Sequence, residues 1–167
     1  MEIITTHINA DFDCLGSMIA ALRLYPHASA VFPGSQEKGL RDFSASHPEY
    51  LPKLKRAKDI DLEQVTRLII VDCQVADRIG RFAELIDKPG VEVLIFHHHP
   101  QIAESYRNRS RAICLSGALS SIMVTLLAEQ GIALTPEGAT LLMLGIYENT
   151  GRMSFISTTR DDYQAAA

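Results

Sequence analysis

No run of 18 apolar residues occurs in this 167-residue chain, so no segment of it reads as a membrane-spanning helix. No secretory leader pattern is present. Cysteine is scarce: Cys14, Cys73 and Cys114 are three in number and widely spaced, which excludes a disulfide framework and a zinc-finger pattern. Reduced, buried thiols suit the cytoplasm. Positive charge is not in excess, since 16 Lys and Arg stand against 20 Asp and Glu for a formal net charge of −4. That balance argues against tight binding to long duplex DNA but admits a short nucleotide. Internal repeats and low-complexity segments are lacking too. What is there is ordinary for a globular protein, with 47% hydrophobic and 22% charged residues and length enough for one domain with a core.

Hydrophobic periodicity divides the chain into alternating strands and helices. Ile3–Thr6 reads as a strand and Asp13–Leu24 as a helix, with Leu15, Met18, Ile19 and Leu22 at helical spacing. Ala30–Phe32 is a second strand, stopped by Pro33-Gly34. A short helix is expected over Gln36–Phe43 and a surface connection over His47–Lys58. Leu68–Val71 is a continuous apolar run, the mark of a strand buried on both faces. A helix is predicted over Arg78–Ile86 and another buried strand over Val91–Phe96. Two more helices follow a polar stretch, one over 117–128 and one from Pro136 with Thr135 as its N-cap. The alternation predicts an α/β fold, an open and mostly parallel sheet with helices on both faces, as a single domain over residues 1–167. Residues 157–167 look like a cap and a helix barely begun, so the natural chain is expected to continue into a longer multidomain protein.

Ligand-type side chains gather at the predicted strand ends. His7, Asp11 and Asp13 share the loop between the first strand and the first helix, Asp72 ends the Leu68–Val71 run, and His97-His98-His99-Pro100 ends the next strand. A parallel sheet brings such ends together, and ligands bind there. An imidazole and two carboxylates this close call for a cation, and Mn, Fe or Zn accept a mixed nitrogen and oxygen shell. Tyr147-Glu148-Asn149-Thr150-Gly151 closes the last long helix.

Together these four motifs resemble the DHH phosphoesterase family, which includes RecJ-type exonucleases, nano-RNA and phosphoadenosine-phosphate phosphatases, and family II inorganic pyrophosphatases. The first motif is complete as His7-Ile8-Asn9-Ala10-Asp11-Phe12-Asp13, and the second is Val71-Asp72-Cys73. The third, normally Asp-His-His-Pro, stands as His97-His98-His99-Pro100, and the fourth has Asn149 where the family has aspartate. The stretch from Phe32 to Phe43 is similar to the DHH domain at the front of bacterial proteins that also carry CBS domains and a poly(A)-polymerase-type tRNA nucleotidyltransferase. Covalently linked CBS and nucleotidyltransferase domains are therefore expected in the full-length chain, and a homo-oligomer is admitted.

The resemblance implies a hydrolase acting on nucleotides or short RNA or DNA, with one or two Mn2+ (or Mg2+) ions. One ion would take His7, Asp11 and Asp72. The other would take Asp13, Asp72, His98 and Asn149. Two cations about 3.5–4 Å apart clamp a phosphate and activate a water. Asp72 would bridge, and His99 would meet a phosphate oxygen or protonate the leaving oxygen. His97 and Asn149 depart from the pattern and weaken the second ion's shell. Loss of a supporting partner costs roughly 10–100-fold in metal affinity or activity. The implied alternative is a non-catalytic, nucleotide-sensing domain of a tRNA nucleotidyltransferase-type protein.

Each residue also has a plainer reading. Asp11 could be a helix N-cap alone. Arg107, Arg109 and Arg111 alternate, so an extended segment would present them on one face to phosphates, or they form a solvated edge. Ser35, Gln36, Lys38 and Arg41 could line a nucleotide site or be plain surface. Gly117, at a helix start, could let a phosphate approach, or serve packing. Cys73 reads as a small buried hydrophobe.

Overall fold

The apolar runs form strands, and they form them in the expected order. The computed structural model describes residues 1–51, 54–98 and 116–167, and the backbone alone at 110–113. Its strands are β1 (Glu2–Thr5), β2 (Ser29–Phe32), β3 (Lys55–Arg56), β4 (Arg67–Val71), β5 (Glu92–His97) and β6 (Ser110–Ile113). Its α-helices are α1 (Phe12–Leu24), α2 (Lys38–Ser46), α3 (Leu119–Glu129), α4 (Pro136–Asn149) and α5 (Arg160–Ala166). The described strands make one sheet in the order β3-β2-β1-β4-β5-β6, and every pairing is parallel. The chain builds outward from β1 to β3, then returns to lay β4 on the other side of β1. Strand order reverses there, and such a point opens a crevice at the carboxyl ends of the strands.

Side chains alternate across the sheet with period two. Ile4, Ile69, Val71 and Phe96 face Met18, Leu119, Ile122, Met123 and Leu142 of the α1, α3 and α4 layer. Ile3, Leu68, Ile70, Val93 and Ile95 face the opposite side, against Ile79, Phe82, Leu85 and Ile86. Both sheet faces are therefore covered, which is why β4 carries no polar residue between Leu68 and Val71.

The covering of the second face corrects one expectation. The helix predicted over Arg78–Ile86 is instead a run of 3-10 turns over Ala76–Leu85. Gly80 breaks it with φ 58° and ψ −139°, a conformation open in practice only to glycine. Tertiary contact reinforces the break, because the Arg78 carbonyl accepts the Ile8 amide at 2.7 Å, from the loop after β1. Two strands lay outside the expected set. β3 is two exposed residues within the stretch read as a surface connection, and β6 lies within the polar stretch. Neither carries a strong apolar run, so pairing geometry rather than composition makes them strands.

At the ends of α4 the local signals hold. Thr135 Oγ1 accepts the Gly138 amide at 3.1 Å with Pro136 in the first turn. Near its other end α4 meets α1 and α3 at Gly145. A Cβ there would lie 2.5 Å from Ser120 Oγ, 2.9 Å from Asp13 Cα and 3.0 Å from the Phe12 carbonyl oxygen. The approach matters because Asp13 must sit beneath α3. We predict that Gly145→Ala costs roughly 1–3 kcal/mol by overpacking. Calorimetry should then read a Tm lower by about 2–4 °C for each kcal/mol in a domain of this size. An unchanged Tm would contradict this packing.

Candidate metal centre

The loop after β1 is held by backbone bonds rather than by its own turn. The amides of Asn9 and Ala10 donate to the Ser35 carbonyl at 2.7 and 3.1 Å, and Glu37 N donates to the Ala10 carbonyl at 2.8 Å. Asn9 takes a left-handed φ of 65°, which turns the chain between His7 and Asp11. Asp11 then caps α1, its Oδ1 accepting the Cys14 amide at 2.9 Å. Capping spends one oxygen and leaves the side chain at the edge of the crevice.

Asp72 is the centre of the arrangement. It follows β4 with a left-handed φ of 53°, a strained conformation of the kind found at functional sites. Its Oδ2 lies 3.9 Å from His7 Nε2, and its Oδ1 lies 3.4 Å from His98 Nε2 and 3.7 Å from His97 Nδ1. Burial would push this carboxyl up, but the hydrogen bond and charge of His98, with His7 and His97, hold it below its ordinary value. Burial pulls His98 down in turn, and Asp72 and then Asp13 outweigh it and push the imidazole up to about 9. His98 Nδ1 lies 3.0 Å from the Ser116 carbonyl, which fixes the ring with Nε2 toward the carboxylates.

Asp13 is completely buried. Its oxygens accept Leu119 N at 2.8 Å and Ser120 N at 2.7 Å, the first amides of α3. A helix amino terminus favours a negative charge there. Burial, with the Asp72 charge, nevertheless raises its carboxyl to about 7, against the lowering effect of His98 and Ser120. Asn149 Nδ2 donates to Asp13 Oδ2 at 2.7 Å and lies 3.4 Å from His98 Nε2.

Among the described residues two groups of ligand atoms result, each within 4.8 Å of one another: His7, Asp11, Cys14 and Asp72, and Asp13, Asp72 and His98. They share Asp72. The donor chemistry fits divalent cations, because imidazole nitrogens and carboxylate oxygens converge there, a mixed shell that such cations accept. A cavity of about 500 Å³ opens over them, lined among others by Asn9, Glu37, Gln74 and Arg78.

The structure thus brings His7, Asp11, Asp13, Asp72, His98 and Asn149 together. It does not bring Gly117 to the cavity. The Gly117 amide donates to Asp162 Oδ2 at 2.9 Å, and a Cβ would stand 2.7 Å from that oxygen. Packing is what this glycine does. His99, Arg107 and Arg109 lie outside the described residues, as does the Arg111 side chain. Of the stretch from Ser35 to Arg41 only Glu37 lines the cavity; Lys38 pairs with Asp42 at 2.5 Å. Cys73 is buried, with its thiol toward the Val75 carbonyl at 3.2 Å.

Two participants escaped the sequence. Cys14 stands with its Sγ 3.1 Å from His7 Nε2 and 3.6 Å from Asp72 Oδ2. Its signal was its position in the first turn of α1, three residues after Asp11, where side chains share a helix face. Burial, with the Asp72 and Asp11 charges, raises the thiol well above its ordinary value. Arg78, whose Nη2 lies 3.0 Å from His7 Nδ1, gave no signal, since it reached the site through the 3-10 turns that replaced a helix.

Asp162 of α5 completes the far side of the α3 terminus. It accepts Ser116 Oγ at 2.7 Å, Gly117 N at 2.9 Å, Ala118 N at 3.3 Å and Ser121 Oγ at 2.6 Å, and closes a capping box with Thr159. Burial opposes its charge, but these donors outweigh burial and lower the carboxyl to about 2.

The profile of the DHH family, N-terminal domain, matches residues 2–146. The chain is 51% identical over 167 residues to an A-adding tRNA nucleotidyltransferase of Geobacter sulfurreducens, covering all of this chain and 19% of that protein. It is 27% identical over 162 residues to the bifunctional oligoribonuclease and PAP phosphatase NrnA of Mycoplasma pneumoniae, covering 94% of this chain and 48% of that one. Among solved structures, an exopolyphosphatase-related protein from Bacteroides fragilis superposes with a TM-score of 0.75 at 17% identity, over 98% of this chain and 50% of that one. That last likeness concerns the fold.

The Asp162 carboxyl titrates lower in the folded protein than its ordinary 3.8, so its stabilisation is complete above about pH 4 and is lost as pH falls toward 2. Urea unfolding should show the protein losing on the order of 2 kcal/mol from this group across that window. Asp162→Asn should be less stable at neutral pH and lack that component of the acid slope. Parallel pH–stability curves for the two proteins would refute the assignment.

Proposed function

The chain belongs to the DHH family, and on that premise we propose that it forms a divalent-metal-dependent phosphoesterase site for nucleotides or short oligonucleotides. The observation that carries this reading is the meeting of His7 and Asp72, from two strand ends 65 residues apart, with imidazole and carboxylate 3.9 Å from each other. His7, Asp11 and Asp72 would hold one ion, and Asp13, Asp72 and His98 a second. Bound there, such ions polarise a phosphoryl oxygen and supply a nucleophilic water.

The protein's own groups do the rest. Asp72, between three imidazoles, is the carboxylate common to both ion positions. Asp13 is fixed from behind by two amides of α3, so its remaining freedom is small. Arg78 sets a guanidinium on the cavity lining beside His7, where a phosphate oxygen would be neutralised. A cavity of about 500 Å³ suits a small ligand such as a nucleotide. The likeness to an oligoribonuclease and PAP phosphatase supports the substrate class. His99, Arg107 and Arg109 are proposed as phosphate contacts on their sequence positions. Mn2+ or Mg2+ is the expected cation by family resemblance. Because the chain spans 19% of the Geobacter sulfurreducens nucleotidyltransferase, linked CBS and nucleotidyltransferase domains, and tRNA as their substrate, belong to the same proposal.

A second reading has one observation in its favour. The Asn149 amide nitrogen donates to Asp13 Oδ2 at 2.7 Å, 3.4 Å from His98 Nε2, in a place where a cation would be attracted. A domain with that place filled could bind a nucleotide without hydrolysing it.

Elemental analysis of protein purified without chelator separates the readings: two ions support hydrolysis, and none argues for a scaffold. With saturating Mn2+, turnover of a generic diester, phosphoadenosine phosphate or short RNA is expected, and Asp72→Asn should abolish it. Silence on all three substrates would sink the enzyme reading. Asn149→Asp sets a carboxylate 2.7 Å from Asp13 Oδ2, so the variant should melt lower in EDTA than the parent and gain more from added Mn2+. Equal thermal shifts in both proteins would show that position 149 has no part in ion binding.

A further inference from the structure

We propose that Cys14 is a thiolate ligand of the ion held by His7, Asp11 and Asp72, and that this site therefore prefers a thiophilic divalent cation such as Zn2+ over Mn2+ or Mg2+. The proposal rests on the metal-site reading above and deepens it. Three ligand atoms from two loops and a helix converge: Cys14 Sγ is 3.1 Å from His7 Nε2 and 3.6 Å from Asp72 Oδ2, and those two are 3.9 Å apart. The point equidistant from all three lies about 2.1 Å from each, close to Zn–N, Zn–O and Zn–S bond lengths of about 2.0–2.3 Å. Asp11 lies within reach as a fourth oxygen donor, in the same group. A hard oxygen site for Mg2+ or Mn2+ has no use for sulfur, whereas a sulfur, nitrogen and carboxylate set selects zinc or cobalt.

The thiol is completely buried, with the His7 imidazole on one side and the Asp72 carboxylate on the other. On binding, the S–H bond breaks, its electron pair stays on sulfur and forms the sulfur–metal bond, and the proton leaves to solvent. His7 keeps its place meanwhile, because the Ile8 carbonyl and the Arg78 guanidinium both lie 3.0 Å from Nδ1, which leaves Nε2 toward the ion position. Cys14 itself is held by α1, whose first turn is fixed by the Asp11 cap.

Cobalt tests this without recourse to activity. Metal-free protein titrated with Co2+ should develop an intense near-ultraviolet sulfur-to-cobalt charge-transfer band together with the visible ligand-field bands. The charge-transfer band should vanish in Cys14→Ser and persist in Cys73→Ala and Cys114→Ala. In competition, Zn2+ should displace Mn2+, and Cys14→Ser should narrow that preference at least tenfold. Visible bands without the near-ultraviolet band would overturn the thiolate assignment and leave the metal site standing. Failure to bind any divalent ion would overturn the metal-site reading as well. If Cys14→Ser does not fold, the spectrum of the unsubstituted protein decides, because a band surviving in Cys73→Ala and Cys114→Ala has one sulfur left to come from.

Discussion

Charge buried without water must be met by opposite charge or by hydrogen bonds, and Asp72 is where this protein meets that demand. Its carboxylate is withdrawn from solvent at the end of the central strand, with His7, His97 and His98 within 4 Å. Transfer of a lone carboxylate to such a place would cost several kcal/mol or force protonation. The imidazoles hold it ionised instead, and His98 takes up the proton that balances part of the cluster. A divalent cation would do the same with greater charge, which is why the site is chemically ready for one.

That readiness depends on a second buried carboxylate and on the helix above it. The amino terminus of α3 offers its free amides to two acids from opposite ends of the chain. Asp13 takes Leu119 and Ser120, and Asp162 takes Gly117 and Ala118. Each acid satisfies donors that would otherwise be orphaned inside the fold. The close approach at Gly145 and at Gly117 is the steric condition for this, since a methyl group at either would strike the groups being joined. Site and packing are thus one structure: the helix that closes the core also orients the ligand.

Much of this was legible beforehand. Buried strands announce themselves as continuous apolar runs, and β1, β4 and β5 fall where Ile3–Thr6, Leu68–Val71 and Val91–Phe96 predicted. Thr135 and Pro136 mark a helix start because their local chemistry is self-contained. The convergence of ligand residues at strand ends was readable because parallel strands all point the same way. The failures share a cause. Arg78–Ile86 has helical spacing, yet Gly80 and the bond from Ile8 to the Arg78 carbonyl turn it into 3-10 segments. β3 and β6 lack an apolar pattern and exist by pairing with a neighbour.

The chain's own order of residues determined the layer architecture, the strand ends and the residue types gathered there, because period and hydrophobicity act between near neighbours. Tertiary structure decided the rest. It aimed Asn149 as a hydrogen-bond donor at Asp13, engaged the Gly117 amide with Asp162, and set a thiol from α1 against His7 and Asp72. Those outcomes turn on distances of a few tenths of an ångström between segments far apart in the chain. Local propensity carries no information at that range; only the mutual packing of helices on a finished sheet fixes it.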